Sequence, residues 1–338
     1  MRAMILAAGY GTRLWPLTAD RTKPAIPFMG RPLVGYVAEY LASFGVRDII
    51  VNLHHRPDSV REALGDGSLF GVSLSYIDEP EILGTSGALD NARAFLEEDT
   101  FVVVNGKIVT DIDLNLALET HKRTNALATL VLRLNRTRER YSTVKVAGDR
   151  VVGFGGMPES RASDNGRNTS PLSNGLEQEL PLMFTGIQIL EPKVFDYIPR
   201  KVFSHSTTEV YPKAIASGER VVAHIAEGDW YELSTIQRYL DISLAMLKKE
   251  GRDVISGAGC SISREAEVHD TVTWDNVRIE AGARVYRAVL GDGVTVRKGE
   301  QVENAALVRR ELIDGVNIPP KALPGTVKGD NFVVSLPQ

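Results

Sequence analysis

The apolar run Met4-Ile5-Leu6-Ala7-Ala8 ends at Gly9-Tyr10-Gly11, the pattern of a buried strand running into a turn. Leu33, Val34, Val37, Leu41 and Phe44 then recur at helical spacing between Pro32, which suits a first helical turn, and Gly45, which suits a helix end. Strands are predicted at Ile49–Leu53, Val72–Tyr76 and Phe101–Val104, with helices at Pro57–Leu64 and Ser86–Leu96 between them. That alternation builds a mostly parallel sheet with helices on both faces. Helix Leu114–Lys122 and strand Ala126–Leu134 follow. Thr143–Val146 and Val151–Phe154 flank Gly148-Asp149 as a hairpin, so the sheet becomes mixed. Gly155–Glu179, rich in Ser, Asn and Gly, reads as a mobile surface loop. Strand Phe184–Leu190, helix Pro192–Ile198, strand Val221–Ile225 and helix Thr235–Glu250 complete a first domain, residues 1–251.

Past Gly251 the helical spacing stops. Apolar residues recur at every sixth position: Ile262, Val268 and Trp274, then Ile279 and Val285, then Leu290, Val296 and Val302. Such a period predicts a parallel β-helix in which each hexad forms one side of a triangular coil, with Gly282, Gly293 and Gly299 at corners. The register slips between groups, so a short coil is expected over 252–338. Its first reading is a structural or oligomerising appendage through which the chain could form a homo-oligomer.

Composition narrows the function classes. The 338 residues are 43% hydrophobic and 24% charged, which suits globular domains. Lys+Arg 39 against Asp+Glu 43 gives a net charge of −4, with no positive excess for nucleic acid or anionic lipid. Cys260 is the single cysteine and can form no internal disulfide, and the run Ala3–Ala8 is too short for a signal segment or a membrane span. A cytoplasmic protein with neither nucleic-acid nor membrane partners is the expectation. No Cys/His cluster has zinc-site spacing.

A glycine-rich turn after a buried strand lets backbone N–H groups approach an anion closely. Gly-x-Gly alone is equally an ordinary tight turn. A dinucleotide fingerprint would need a third glycine where Leu14 stands, and no Gly-Lys-Ser/Thr closes a P-loop. Two cations accompany the turn, Arg13 at its exit and Lys23 in Thr22-Lys23-Pro24. Together they suit a polyphosphate and phosphoryl or nucleotidyl transfer, in which charge spreads over non-bridging oxygens and the leaving group.

The stretch Leu6-Ala-Ala-Gly-x-Gly-Thr-Arg-Leu-x-Pro-Leu-Thr18, followed by Lys23-Pro24 and Gly30-Arg31-Pro32-Leu33, resembles the sugar-1-phosphate nucleotidyltransferases (NDP-sugar pyrophosphorylases). The resemblance continues through Asp78-Glu79, Leu83-Gly84-Thr85-Ser86-Gly87, Val104-Asn105-Gly106, Asp111-Ile112-Asp113-Leu114, Phe184-Thr185-Gly186-Ile187 and Trp230-Tyr231-Glu232. The hexad tail is similar to that of the mannose-1-phosphate guanylyltransferase-like branch. The resemblance implies an α/β fold: a Rossmann-like mixed-sheet nucleotidyltransferase (GT-A-like) domain followed by a short left-handed parallel β-helix. It implies transfer of a nucleotidyl group from an NTP to a sugar 1-phosphate, giving an NDP-sugar and pyrophosphate. Arg13 and Lys23 would be catalytic. Leu6, Ala7, Ala8, Gly9, Gly11, Thr12, Glu79, Gly84, Thr85, Asn105 and Gly106 would bind the nucleotide, with guanine the first base expected and uracil and thymine next. Thr185, Gly186 and Glu232 would face the sugar.

The family binds Mg²⁺ through the Asp of an Asn-Gly-Asp motif, and here Lys107 stands in that place. The second metal carboxylate corresponds to Glu232, and the sugar-side Glu-Lys-Pro corresponds to Gly156-Met157-Pro158. An ammonium supplies the local positive charge of a carboxylate-bound Mg²⁺ without its octahedral templating. The pattern therefore predicts a Lys107–Glu232 ion pair. It also supports a second reading, a catalytically impaired nucleotide or NDP-sugar binder acting as a regulatory homologue. Asp113 reads as a helix cap rather than a substitute ligand. His54, His55 and His269 read as structural or surface residues, which leaves an acyltransferase reading of the hexad tail without a catalytic histidine.

Overall fold

The computed structural model describes residues 1–136, 141, 143–155 and 180–337. The predicted loop from 156 and the Gly156-Met157-Pro158 position lie outside the described residues. Nine strands form the main sheet: β1 Arg2–Leu6, β2 Asp48–Leu53, β3 Ser73–Asp78, β4 Phe101–Asn105, β5 Ala128–Leu134, β6 Thr143–Ala147, β7 Arg150–Phe154, β8 Leu182–Leu190 and β9 Val221–Ile225, in the order β3-β2-β1-β4-β8-β5-β9-β7-β6. From β3 to β4 all pairs are parallel. β8 runs antiparallel to both β4 and β5, and β6–β7 is the predicted hairpin.

Alternate residues of β1 enter different cores, as the two-residue period of a strand requires. Ala3 and Ile5 pack with helices α1 (Leu33–Ser43), α2 (Pro57–Leu64) and α4 (Leu114–Thr124). Met4 packs on the opposite face with α3 (Gly84–Asn91) and α5 (Tyr211–Ala216). A strand covered on both sides has to be apolar throughout, which is why the opening run shows no alternation. Leu6 pairs with Asn52 on one side and Asn105 on the other. The chain leaves β1 toward β2 and β3 and then returns to β4 on the far side. The glycine turn therefore lies at a topological switch point, where open α/β sheets form a crevice.

Two predicted helices differ. Ser86–Leu96 is α3 plus a separate turn, Arg93–Leu96, with Ala92 between them at φ −90° and ψ 8°. Pro192–Asp196 winds only as a 3₁₀ turn, since a short proline-led segment completes little more than one turn. Helix α4 ends at Asn125, whose φ of 48° is the left-handed stop that asparagine tolerates. Among the described residues no helix is long and apolar enough to cross a membrane.

Helix α6 (Ile236–Lys249), capped by the Thr235 side chain, leads into the C-terminal coil. Strands Val254–Ser256, Glu267–Thr273, Arg284–Leu290 and Gln301–Arg309 stack in parallel, and Ser261–Ile262, Arg278–Ile279 and Thr295–Val296 form another side. Glu267 pairs with Arg284 and Arg284 with Gln301, a rung of 17 residues, one short of three hexads. Asp270, Arg287 and Asn304, all at positive φ, take equivalent places in successive rungs. There the ladder skips from His269↔Tyr286 to Thr271↔Ala288, which accounts for the slipping sequence register. The chain then returns as Asn331–Ser335, antiparallel to the last long strand.

The coil is not a detached appendage. Val272, Trp274, Val289, Phe332 and Val334 share one core with Ile236, Tyr239 and Leu240 of α6 and with Leu14, Trp15, Leu17, Ile26 and Phe28 behind the glycine turn.

Candidate active site

A cleft of about 490 Å³ opens at the C-terminal end of β1. It is lined by Leu6, Ala7, Ala8, Gly9, Gly11, Thr12, Arg13, Lys23, Glu79, Gly84, Thr85 and Asn105, all singled out in the sequence, and by Lys107. It also includes Asn52 and His205, which lie outside the sequence motifs of the site. Asn52 left a faint trace as the one polar residue inside the apolar run of β2. His205 reaches the cleft from a distant loop, and no local pattern marks it.

The turn is shaped by contact as well as by conformation. Gly11 has φ 66°, and a Cβ there would lie 2.9 Å from the Lys23 Cβ. The turn and the segment bearing Lys23 are therefore pressed together, which brings two cations separated by ten positions to one wall. Gly9 faces open space: a Cβ there would meet nothing within 4 Å.

The facing wall is braced through side chains. The Ala7 N–H donates to Asn52 Oδ1 (2.8 Å), Asn52 Nδ2 donates to Glu79 Oε1 (2.6 Å), and Glu79 Oε2 accepts from the Leu83 N–H (3.0 Å). Burial pushes the Glu79 carboxyl up, against the Asn52 and Leu83 hydrogen bonds that favour its charged form. Both of its oxygens thus serve the protein, tying the glycine turn to the start of α3. His54 joins this brace, its Nδ1 2.8 Å from the Glu79 carbonyl oxygen. Gly84, at φ 74°, lies so close to the Ser204 carbonyl that a Cβ would stand 2.4 Å from it, and the Ser86 and Gly87 N–H groups donate to the same oxygen.

The remaining predicted residues lie around rather than in the cleft. The Gly106 N–H donates to the Leu6 carbonyl (2.9 Å). Thr185 is 1% exposed and its hydroxyl donates to the Val131 carbonyl (2.8 Å), which removes it from the set of groups free to meet a ligand. Gly186 packs against the Asn105 side chain. Asp113 caps α4 by accepting from the Asn115 N–H, and His269 pairs with Asp253 on the coil surface.

Lys107 and Glu232 form the predicted ion pair. Antiparallel pairing of Ile108–Thr110 with Trp230–Glu232 places Glu232 opposite Ile108, beside Lys107. Burial raises the Glu232 carboxyl, but the charges of Lys107 and Lys23 overcome this and hold it below its ordinary value. Lys23 is only 8% exposed, and its side-chain nitrogen has no hydrogen-bond partner among the described residues; it is pushed down to about 7 by burial and by the neighbouring Lys107, with Glu232 opposing and Arg13 adding to the effect. An unpaired buried ammonium that points into a cleft is a group awaiting an anion.

A hard divalent cation needs several oxygen ligands in near-octahedral array. Here Glu232 is already engaged by an ammonium, Asp111 accepts from the Asp229 N–H and Asp113 is a cap. No cluster of three or more His, Cys, Asp or Glu side chains that could hold a metal occurs among the described residues. The described residues do not fit Mg²⁺.

Residues 2–249 match the family model described as nucleotidyl transferase. The chain is 31% identical over 294 residues to a UTP–glucose-1-phosphate uridylyltransferase of Synechocystis sp., covering 83% of this chain and 72% of that protein. It is 27% identical over 309 residues to a mannose-1-phosphate guanylyltransferase of Mycobacterium tuberculosis, covering 83% and 81%. The crystal structure of HddC from Yersinia pseudotuberculosis complexed with GMP-PN superposes with a TM-score of 0.60 at 22% identity, over 72% of this chain and 99% of that one, a likeness of fold.

Proposed function

The chain belongs to the sugar-1-phosphate nucleotidyltransferases of the nucleotidyl transferase family, and from that premise we propose that it joins an NTP to a sugar 1-phosphate, giving an NDP-sugar and pyrophosphate. The observation that carries this reading is the convergence of Arg13, Lys23 and Lys107 on one cleft walled by the Leu6–Thr12 turn. Backbone N–H groups of the turn would hold the phosphates, Asn105 and Thr85 would line the nucleoside, and Arg13 with Lys23 would face the α-phosphate. A phosphate oxygen of the sugar 1-phosphate attacks the α-phosphorus. A new P–O bond forms, the bond to the β-phosphate bridging oxygen breaks, and pyrophosphate leaves with that electron pair. Positioning and fixed positive charge are the main needs of such a step. We take residues 1–251 as the catalytic unit and 252–338 as a left-handed coil that supports it.

Pyrophosphate release measured with GTP, UTP and dTTP against mannose 1-phosphate and glucose 1-phosphate tests the reading. Turnover with at least one pair, and the matching NDP-sugar by mass spectrometry, is expected. The Lys107–Glu232 pair favours a second reading, a regulatory nucleotide-sugar binder, for which binding without turnover would be the signature.

Lys23 makes phosphate binding dependent on pH. In the free protein it is neutral above about 7, and a bound polyphosphate favours its charged form, so binding takes up a proton. Affinity should fall as pH rises above that point, by up to about tenfold per unit. Stability should move the other way. The unfolded chain holds this proton up to the ordinary value of 10.5, so between about 7 and 10.5 the unfolded state binds more protons, and this group's contribution to stability grows with pH. Titration calorimetry in buffers of different ionisation enthalpy reads the proton uptake. Equal apparent enthalpies in all buffers would refute it.

A further inference from the structure

Resting on the nucleotide reading above, we propose that this cleft takes the nucleotide phosphates as the free polyanion, with the Lys107 ammonium in the place of a divalent cation, so that Mg²⁺ weakens binding instead of strengthening it.

The ammonium is a built feature. The ribbon register sets Glu232 beside Lys107, and the Leu233 N–H donates to the Lys107 carbonyl (3.3 Å), pinning its backbone. Arg238 Nε donates to the Glu232 carbonyl oxygen (3.1 Å), fixing the other half of the pair. Glu232 is 5% exposed, whereas the Lys107 side chain keeps a third of its surface open and lines the cleft. The carboxylate thus anchors the lysine and leaves its charge displayed.

Charge balance then decides which form of a nucleotide fits. Among the described residues, Arg13, Lys107 and, once protonated by the bound anion, Lys23 stand on the Lys107 side of β1 against the carboxylate of Glu232. Glu79 stands on the other side of the strand, with both oxygens occupied by Asn52 and the Leu83 N–H. A free triphosphate presents about four negative charges to this surplus, and its Mg²⁺ complex only about two. A chelated cation would also be carried toward fixed ammonium groups, with no cluster of carboxylates among the described residues to complete its oxygen shell.

The test is titration calorimetry of the full chain with GTP and with UTP, each in EDTA and in excess Mg²⁺. Binding in EDTA should be tighter by at least about tenfold. In Lys107→Asp, where two carboxylates replace the ion pair, the order should reverse and Mg²⁺ should tighten binding. In Lys107→Met, free-nucleotide affinity should fall by at least about tenfold with the melting temperature retained. Tighter wild-type binding in Mg²⁺ would overturn the proposal and leave the nucleotide reading standing. Absence of binding by both nucleotides in both buffers would overturn the two together. The wild-type comparison needs no variant to fold.

Discussion

Arg13→Ala is expected to lower kcat/KM for pyrophosphate release by about 10²–10³-fold, the usual effect of removing one fixed donor from a site where negative charge develops. The geometry isolates the loss to chemistry. Arg13 lies in the single turn Thr12–Leu14, whose neighbour Leu14 is fully buried in the core behind the cleft, while Arg13 itself is exposed. The side chain that anchors the turn and the one that faces the ligand are thus different residues, and the variant should keep its melting temperature. Because charge grows at the α-phosphate as pyrophosphate departs, most of the effect should fall on kcat. Arg13→Lys should recover part of it, since a point charge replaces a planar fork. Wild-type kcat/KM in Arg13→Ala would remove Arg13 from the machinery and leave Lys23 and Lys107 to carry the site.

The contrast between Arg13 and Thr185 shows what the chain discloses before it is folded. Arg13 follows a glycine turn at the end of a buried strand, and that local order nearly forces it toward the crevice. Thr185 is marked by resemblance alone. Its hydroxyl turns to the Val131 carbonyl because β8 bulges between Phe184 and Gln188, and an irregular register cannot be read from alternation. The Lys107–Glu232 pair was legible because a cation and an anion occupy linked positions in one motif set. Its support was not, since the ribbon that aligns them joins segments far apart in sequence. The coil was visible as a period, but its 17-residue rung was not, because the missing residue is absorbed at Asp270, Arg287 and Asn304, three side chains of unlike chemistry. His205 enters the cleft through tertiary packing alone.

The coil's contact with the rest of the molecule leads to the largest expected loss of stability. Trp274→Ala should cost about 3–5 kcal/mol, the range for truncating a large aromatic residue in a core. Trp274 is 3% exposed and packs within the cluster that joins the coil, α6 and the back of the glycine turn. Its Nε1–H donates to Tyr239 Oη (3.0 Å), and the Tyr239 hydroxyl in turn donates to the Pro27 carbonyl (2.6 Å). Arg21 lies over the Trp274 ring at 5.2 Å and pairs with Asp292 of the coil. Pro27 and Arg21 bracket Lys23, so the segment that delivers a cation to the cleft is held from behind by the coil. Urea unfolding should show the lower midpoint, and calorimetry under folding conditions should show weaker GTP or UTP binding as well. Trp274→Phe keeps most of the buried area and loses the indole donor, so it should cost only about 1 kcal/mol. If Trp274→Ala left both the midpoint and the affinity unchanged, the coil would be an independent unit after all, and the position of Lys23 would have to be explained by Gly11 and its neighbours alone.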